Sequence, residues 1–292
     1  MRIVIVGGAL AAVCGCAHLA AGKPTREPPA PPSAAAAVVD IQPVRRDFDA
    51  ILPTGLPVAI DNPYGDVRLR FGGYTAALAV HAVLQEPASA QPIELAPTQE
   101  TGRYLIAPRL PQGAIAAQGQ RIDLVVFVPT GHPVSVRTEH GLIESHGIRA
   151  DVDLQSTAGD ISMRGTQGRI QAQTGAGSIE ASLNSAPRAS RQRLATTTGN
   201  IVLAIDDKLD AELELTTSAV FATEYSLSVV PLAGQEPNKK AHTSVGDVKA
   251  GKNKAKVVVE SRRGEIRLLR RTGFTPLGDK PADEENEDND SD

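Results

Sequence analysis

The sequence predicts an all-β protein that folds as a single-chain parallel β-helix, or β-solenoid. Three observations support this: a repeated Thr/Ser-x-x-Gly-x-aliphatic motif, a spacing of about 18–22 residues between most copies, and alternation of apolar and polar residues beside each copy. A period of this length fits two short strands and two turns. One such unit, which we call a rung, cannot bury its apolar side alone, so neighbouring rungs must stack.

The motif recurs along most of the chain. Its glycines are Gly141, Gly159, Gly177, Gly199, Gly246 and Gly264, with a looser copy at Gly65. From Gly141 onward the separations are 18, 18, 22, 47 and 18 residues, and in the longest interval Thr216…Ala219 holds the place of a copy. We interpret these glycines as structural turn residues, because Gly tolerates positive φ and the short polar residues after it bond nearby backbone.

Alternation predicts which side chains face the core. Ile170, Ala172 and Thr174 are expected to point inward, and Gln171 and Gln173 outward. Stacking would place Ile161, Ile179 and Ile201 in one internal column. Aromatic residues make up 3% of the chain and Trp is absent, which favours a narrow aliphatic core. In residues 43–135 we expect antiparallel strands that start the solenoid and cover its first rung.

The N-terminus predicts export. Residues 1–16 combine Arg2, an apolar run of 11 residues and small residues, as in a lipoprotein-type signal peptide. The run is too short to span a bilayer. The Cys-Gly-Cys sequence at its end resembles a bacterial lipobox, which makes Cys16 the predicted lipidation site and membrane anchor. Ordinary cleavage after Ala17 or Ala21 is the alternative.

Three further segments follow. Residues 17–42 are predicted to be a Pro/Ala-rich tether, 43–272 the β-helix domain, and 273–292 a disordered acidic tail. The last 14 residues carry eight acids and one Lys. Ala17, where an Asp would be expected for retention in an inner membrane, favours an outer-membrane lipoprotein of the cell envelope, either periplasmic or surface-exposed, if the source has two membranes.

The sequence predicts no enzymatic activity, no metal site and no cofactor. His140 and His146 are close in sequence, but no Cys or carboxylate cluster completes a metal site. Nucleophile-elbow, P-loop and dinucleotide-binding motifs are absent from the sequence. Glu144, Asp151 and Asp153 keep one alternative open, a carbohydrate-active enzyme with paired carboxylates on the same scaffold. Outward acids on a solvated sheet are the simpler interpretation, because no Arg or Lys clusters beside them in the sequence.

One charge feature stands out. Residues 239–271 hold 11 basic and three acidic residues. The candidate anion-binding residues in this run are Lys249, Lys252, Lys254, Lys256, Arg262, Arg263 and Arg267. They would attract an anionic surface polymer or lipid head groups, whereas a solvated face partly neutralised by the acidic tail is the competing interpretation. Binding of nucleic acid is not expected, because the chain is predicted to be exported and these basic residues lack aromatic neighbours on which nucleobases could stack.

The segment RIDLVVFVPTGHPVSVRTEHGLI, followed by repeated T/S-x-x-G-x-I units, resembles the bacterial putative-adhesin family, a β-strand-repeat domain of unknown function in exported proteins. The resemblance covers roughly residues 57–269 and departs from the pattern at Ala219 and in residues 226–242. It implies a right-handed parallel β-helix on the cell envelope and brings no catalytic residues.

We therefore predict a non-enzymatic, envelope-anchored adhesin-like or structural protein whose long β faces contact surface polymers or envelope proteins. A second alternative, besides the carbohydrate-active enzyme, is a bactofilin-like scaffold that forms polymers, since such scaffolds have rungs of similar length.

Overall fold

Two mostly parallel β-sheets make up the described part of the protein, which comprises residues 42–234, 236–246 and 254–271 of the computed structural model. All of these residues belong to the unit Asp40–Asp292. In these ranges the chain forms 21 strands and no helix, and accordingly no helix long and apolar enough to cross a membrane. The predicted signal peptide, Cys16, the tether up to residue 41 and the acidic tail lie outside the described residues.

Sheet 1 has ten strands. In spatial order they are β1 (Val44–Ile51), β4 (Ala77–Gln85), β7 (Arg121–Val128), β3 (Val67–Phe71), β9 (Ile143–His146), β11 (Ile161–Arg164), β13 (Ile179–Leu183), β15 (Ile201–Asp206), β21 (Ile266–Arg271) and β17 (Phe221–Thr223).

Sheet 2 has 11 strands. In spatial order they are β5 (Thr98–Glu100), β6 (Arg103–Ile106), β2 (Val58–Asn62), β8 (Val134–Thr138), β10 (Val152–Ser156), β12 (Ile170–Thr174), β14 (Arg191–Thr196), β20 (Ala255–Ser261), β16 (Ala211–Thr217), β19 (Lys239–Val245) and β18 (Ser228–Pro231).

Each rung gives one strand to each sheet. The rungs β8–β9, β10–β11, β12–β13 and β14–β15 stack in sequence order through parallel pairing. The predicted aliphatic column is present, because Ile161, Ile179 and Ile201 pair in register, and Ile143 and Ile266 extend the column at its two ends.

The core is aliphatic, as the composition predicts. Ile170, Ala172 and Thr174 are buried, whereas Gln171 and Gln173 between them are not. The largest fully buried side chains are all Ile or Leu. Burying such a side chain stabilises the fold by about 1.5–3 kcal/mol, so the stack gains its stability from many similar aliphatic contacts.

One corner of the stack is held by a repeated pair of hydrogen bonds. The Thr174 hydroxyl donates to the carbonyl of Gly159 in the preceding rung (2.9 Å) and accepts from the N–H of Gly177 in its own rung (3.2 Å). Thr196 does the same with Gly177 (2.9 Å) and Gly199 (3.2 Å). These hydroxyl groups are buried, so each one satisfies two backbone groups that water does not reach.

Close stacking explains the corner glycines, which we call the glycine column. It consists of Gly65, Gly141, Gly159, Gly177, Gly199 and Gly264. In each of the five glycines that follow Gly65 in this column, an added Cβ atom would overlap the carbonyl oxygen of the preceding glycine. None of the six has a positive φ, so conformational freedom is not the reason for glycine at these positions, and that part of the sequence interpretation is wrong.

Gly246 is not part of the glycine column. Its φ is +82° and it follows β19, which pairs antiparallel with β16. The copy of the motif that begins at Thr243 is therefore not a rung corner, and the interpretation of that copy as a rung is wrong. In the Thr216…Ala219 copy, the rung position belongs to Thr217, which lies opposite Ser261 and donates to the Gly264 carbonyl (2.8 Å).

Rung order departs from sequence order at both ends of the stack. The last rung in the sequence, β20–β21, lies between the rung β14–β15 and the strands β16 and β17. The first rung, β2–β3, likewise lies between β6–β7 and β8–β9. As a result Gly264 stacks on Gly199 and Gly141 on Gly65, although long stretches of chain separate the members of each pair.

Antiparallel strands form both edges of sheet 2 and the first edge of sheet 1, whereas the other edge of sheet 1 is β17, which pairs parallel with β21. As expected, β4 pairs antiparallel with β7, and β1 with β4, at the start of sheet 1. At the other end of the stack, β19 and β18 close sheet 2. The edge strand β1 carries Arg45, Arg46, Asp47 and Asp49, and the edge strand β18 ends in Pro231. Charges and proline on edges discourage pairing with another chain.

We expect Gly177→Ala to lower the free energy of unfolding by about 2–3 kcal/mol, because the added methyl group overlaps the backbone of the neighbouring rung. Chemical denaturation of the purified protein measures the change. The control is Ala176→Ser at the exposed position beside it, which should change the value by less than about 0.5 kcal/mol. Equal stability of Gly177→Ala and wild type would contradict the close stacking.

Candidate functional site

The outward faces of the two sheets are the main exposed surfaces of the stack, because alternate residues of each strand point away from the core. The described residues contain no group of three or more His, Cys, Asp or Glu side chains that could hold a metal ion. His140 is exposed in the corner before Gly141, and His146 is exposed at the end of β9.

The carboxylates considered for catalysis are divided between the two sheets, and Asp151 and Asp153 line one depression of about 140 Å³ on sheet 2. Glu144 lies on β9 in sheet 1, whereas Asp153 lies on β10 in sheet 2. Arg70 donates to Glu144 (2.9 Å), and Arg68 lies 3.7 Å from it, so the expectation that no Arg or Lys clusters beside these acids is wrong for Glu144. The two arginines are far from Glu144 in sequence and reach it only through pairing of β3 with β9.

Asp151 has a structural role. Its carboxylate accepts a hydrogen bond from the backbone N–H of Arg169 in the next rung (2.8 Å). Asp160 binds the N–H of Ser178 in the same way (2.7 Å). These acids hold successive rungs together at their corners, which agrees with a structural interpretation of acids near the turns.

The structure does not bring the predicted anion-binding residues to one surface. Lys256 lies on β20 in sheet 2, Arg267 on β21 in sheet 1, and Arg262 and Arg263 in the corner between them. Lys249 and Lys252 lie outside the described residues. Anion binding by this set stays a prediction.

Most of the described members already have partners. Lys256 pairs with Glu214 (3.1 Å), Arg263 with Glu236 (2.9 Å) and Arg267 with Glu265 (3.0 Å). The Lys254 amino group donates to the Ser244 hydroxyl (2.7 Å). Glu214 and Glu236 precede the basic run in the sequence, so counting charges within the run could not find these two partners.

Glu214 lies between two lysines on the outward face of sheet 2. Its oxygens are 2.9 Å from the amino group of Lys240 and 3.1 Å from that of Lys256. The hydrogen bond from Lys240 is the largest cause of a lowered pKa for Glu214; burial opposes it and Lys256 adds to it. Glu214 thus partly neutralises the two lysines at this point.

A depression in the outward face of sheet 2, which we call the arginine depression, has a volume of about 160 Å³. Ala59, Ile60, Asp61, Arg103, Leu105, Arg109, Ser135 and Arg137 line it. Ala59 lies between Leu105 and Ser135 in register, so the small side chains at two of these three positions leave space that the arginines surround. Sequence reasoning missed this site, because its residues come from β2, β6, β8 and a loop.

Two other surface features lie near the N-terminal end of the stack. A cleft of about 560 Å³ is lined in part by Tyr64, Ile115 and His140. On sheet 1, the Arg149 guanidinium lies 4.8 Å from the ring centre of Phe71 and 5.1 Å from that of Tyr74. The cleft lining also includes Glu139 and Asp66, and Asp66 pairs with Arg121 (3.3 Å).

Solved structures similar to this chain include two from bacteria. A putative cell adhesion protein from Clostridium sporogenes has 9% sequence identity and a TM-score of 0.43, covering 78% of this chain and 100% of its own. A putative adhesin from Bacteroides fragilis has 10% identity and a TM-score of 0.28, covering 78% of this chain and 97% of its own. The name of the Bacteroides fragilis protein is that of the family that the sequence resembles. No protein-family model matches the chain, and no curated protein matches it.

We expect Glu214→Gln to reduce the free energy of unfolding at neutral pH, because the carboxylate is held by Lys240 and Lys256. Since folding lowers the pKa of Glu214, its contribution is present above the ordinary value of 4.5 and is lost as pH falls through the lowered value. Denaturation of wild type and variant between neutral pH and about pH 3 measures this.

The difference between wild type and variant should shrink below about pH 4.5. Glu212→Gln, an exposed position on the same strand, is the control and should have a smaller effect. A constant difference over the whole pH range would contradict the proposed charge interaction.

Proposed function

We propose that this protein is a non-enzymatic, envelope-anchored adhesin-like or structural protein whose exposed β faces contact surface polymers or proteins. The observation that carries the proposal is the stack itself, which presents two long outward faces and places Glu144 and Asp153 on different sheets. A face built from repeated rungs offers a regular row of polar side chains, which suits contact with an extended partner.

The stack is, in this proposal, a right-handed parallel β-helix spanning residues 43–272. Four rungs in sequence order, each with one strand in either sheet, support the helical course of the chain. The hand follows from the general preference of parallel crossover connections for the right-handed form.

Export and anchoring complete the proposal. A signal peptide over residues 1–16 and a lipid on Cys16 would hold the stack at the outer membrane through the tether of residues 17–42. The apolar run and the lipobox-like Cys-Gly-Cys sequence support this, and the anchor would be the protein's contact with the membrane. An anionic surface polymer or an envelope protein would be its partner.

The two alternatives have less support. A carbohydrate-active enzyme would need a carboxylate pair across its substrate, and Glu144 and Asp153 lie on different sheets. A polymer-forming scaffold would need open ends, whereas antiparallel strands form three of the four outer edges of the two sheets.

Treatment of intact cells with an external protease tests the location that this function requires. We expect digestion of the protein in wild-type cells and its loss from the cell, or release to the medium, in Cys16→Ser. Cys14→Ser is the matched control and should behave as wild type. Protection in wild type until the envelope is broken would overturn surface adhesion and leave a periplasmic structural role.

Contact with polymers is tested directly with the purified protein and isolated envelope polysaccharide. Retention of the protein by the polymer, without new polysaccharide ends after long incubation, is the expected result. Absence of any retention would contradict the contact function, and new ends that disappear in Glu144→Gln or Asp153→Asn would establish the enzyme alternative.

A further inference from the structure

We propose that the arginine depression on sheet 2 binds an oxyanion, namely a sulfate, phosphate or carboxylate group carried by an anionic polysaccharide. This inference rests on the proposed contact function and names the site and the ligand chemistry. It also moves the expected anion site from the basic run of residues 239–271 to the opposite end of the stack, where sheet 2 begins.

The shape of the depression comes from the side chains in register across three strands. Ala59 on β2 is flanked by Ser135 on β8 and Leu105 on β6, and the first two side chains are too short to fill the surface. The longer side chains of Arg103, Arg109 and Arg137 surround this floor. A volume of about 160 Å³ is enough for a single oxyanion group with a few waters.

The charge balance of the depression is positive. Three guanidinium groups line it against one carboxylate, that of Asp61. Arg109 pairs with Asp61 (2.7 Å), and Arg103 pairs with Glu100 outside the lining (2.8 Å). Among the described residues Arg137 has no carboxylate partner, although it lies in register with Asp61 on the neighbouring strand.

Free donor groups remain in the depression. A guanidinium has five N–H groups. The hydrogen bonds of Arg103 within the described chain go to Glu100 alone, and those of Arg109 go to Asp61 and to the Pro108 carbonyl. Each arginine therefore keeps N–H groups for a ligand, and Arg137 keeps all of its own. Planar forks of this kind fit the oxygens of carboxylate, sulfate and phosphate groups.

The surface beside the depression favours a carbohydrate as the carrier of the anion. Arg137, Gln155 and Gln173 lie in register on β8, β10 and β12, and the neighbouring row contains Ser135, Asp153 and Gln171. These amide and hydroxyl groups match the hydroxyl groups of a sugar chain. The exposed large hydrophobic side chains of the described residues lie elsewhere, so this face lacks the apolar anchors typical of protein interfaces.

Two acids limit the affinity. Asp61 stands in the depression itself, and Asp153 lies next to Ser135 in register. Gln155 donates to both oxygens of Asp153 (3.2 and 3.4 Å), which partly occupies that carboxylate. We therefore expect a dissociation constant of about 1 mM for one oxyanion, and tighter binding for a polymer that repeats the group.

Titration of the full-length protein with sodium sulfate, sodium phosphate and trigalacturonate, at constant ionic strength, tests the site. Backbone amide chemical shifts of Ser135 and Arg137 report binding. Arg137→Gln and Arg103→Gln should each weaken binding by about fivefold or more, since each removes a charged donor at a partly screened site. Arg164→Gln, an exposed arginine paired with Glu180 on sheet 1, is the control and should bind as wild type.

The probes also show which oxyanion the site prefers. Shifts that saturate with at least one probe and weaken in both variants support the site. Equal responses to chloride, or binding that is unchanged in Arg137→Gln, would overturn it.

Retention on isolated envelope polysaccharide, measured with the same variants, separates the two proposals. Wild type that binds the small probes but is not retained by the polymer would leave the oxyanion site standing and overturn polymer contact. Polymer retention that is equal in wild type and Arg137→Gln would keep the contact function and overturn this site.

Discussion

The close approach of successive rungs at one corner is the constraint on which the rest of the structure depends. A buried Thr or Ser hydroxyl joins the N–H of one corner glycine to the carbonyl of the glycine in the preceding rung, as at Thr174 and Thr196. The rungs can come close enough for this bridge only because the corner residue is glycine, since a Cβ atom there would overlap the carbonyl oxygen of the preceding rung. The motif is thus a contact between rungs, and it fixes the register from which both outward faces follow.

That contact also explains how the ends of the stack are arranged. The same corner recurs through the glycine column, so two rungs can stack whatever their separation in the sequence. Ser261 therefore donates to the Gly199 carbonyl (2.8 Å), and Thr217 donates to the Gly264 carbonyl (2.8 Å). The strand that contains Thr217 thus stacks after the rung of Ser261, although it comes before that rung in the sequence. The strands β16, β18 and β19 are left to cover the end of sheet 2, where the edge strand is short and contains a proline.

The repeat and its alternation predict the local structure well, because each depends on neighbouring residues. Ile161, Ile179 and Ile201 lie in the expected column, and the outward glutamines of β12 follow from period two. The order of rungs could not be predicted, because the copies of the motif are chemically equivalent partners. The copy at Gly246 shows that the motif alone does not identify a rung corner, because only strand pairing distinguishes such a corner from the end of an antiparallel strand.

The candidate sites depend on residues that only the fold brings together. The charge run of residues 239–271 suggested a patch, but its members face different sides and pair with acids such as Glu214 and Glu236 outside the run. The arginine depression draws on β2, β6, β8 and a loop, none of which shows a charge pattern of its own. The depression that we propose to be functional arises from the register between neighbouring strands, which the order of residues along the chain does not show.

Disulfide trapping tests the rung order most directly. In a background with Cys14 and Cys16 replaced by Ser, Val202→Cys combined with Arg267→Cys should form a disulfide on mild oxidation, because these residues pair on adjacent strands of sheet 1. Val202→Cys combined with Ala222→Cys should not, since β21 lies between their strands. A link in the second pair and none in the first would mean that the rungs stack in sequence order, and would contradict the placement of β20–β21 beside β14–β15.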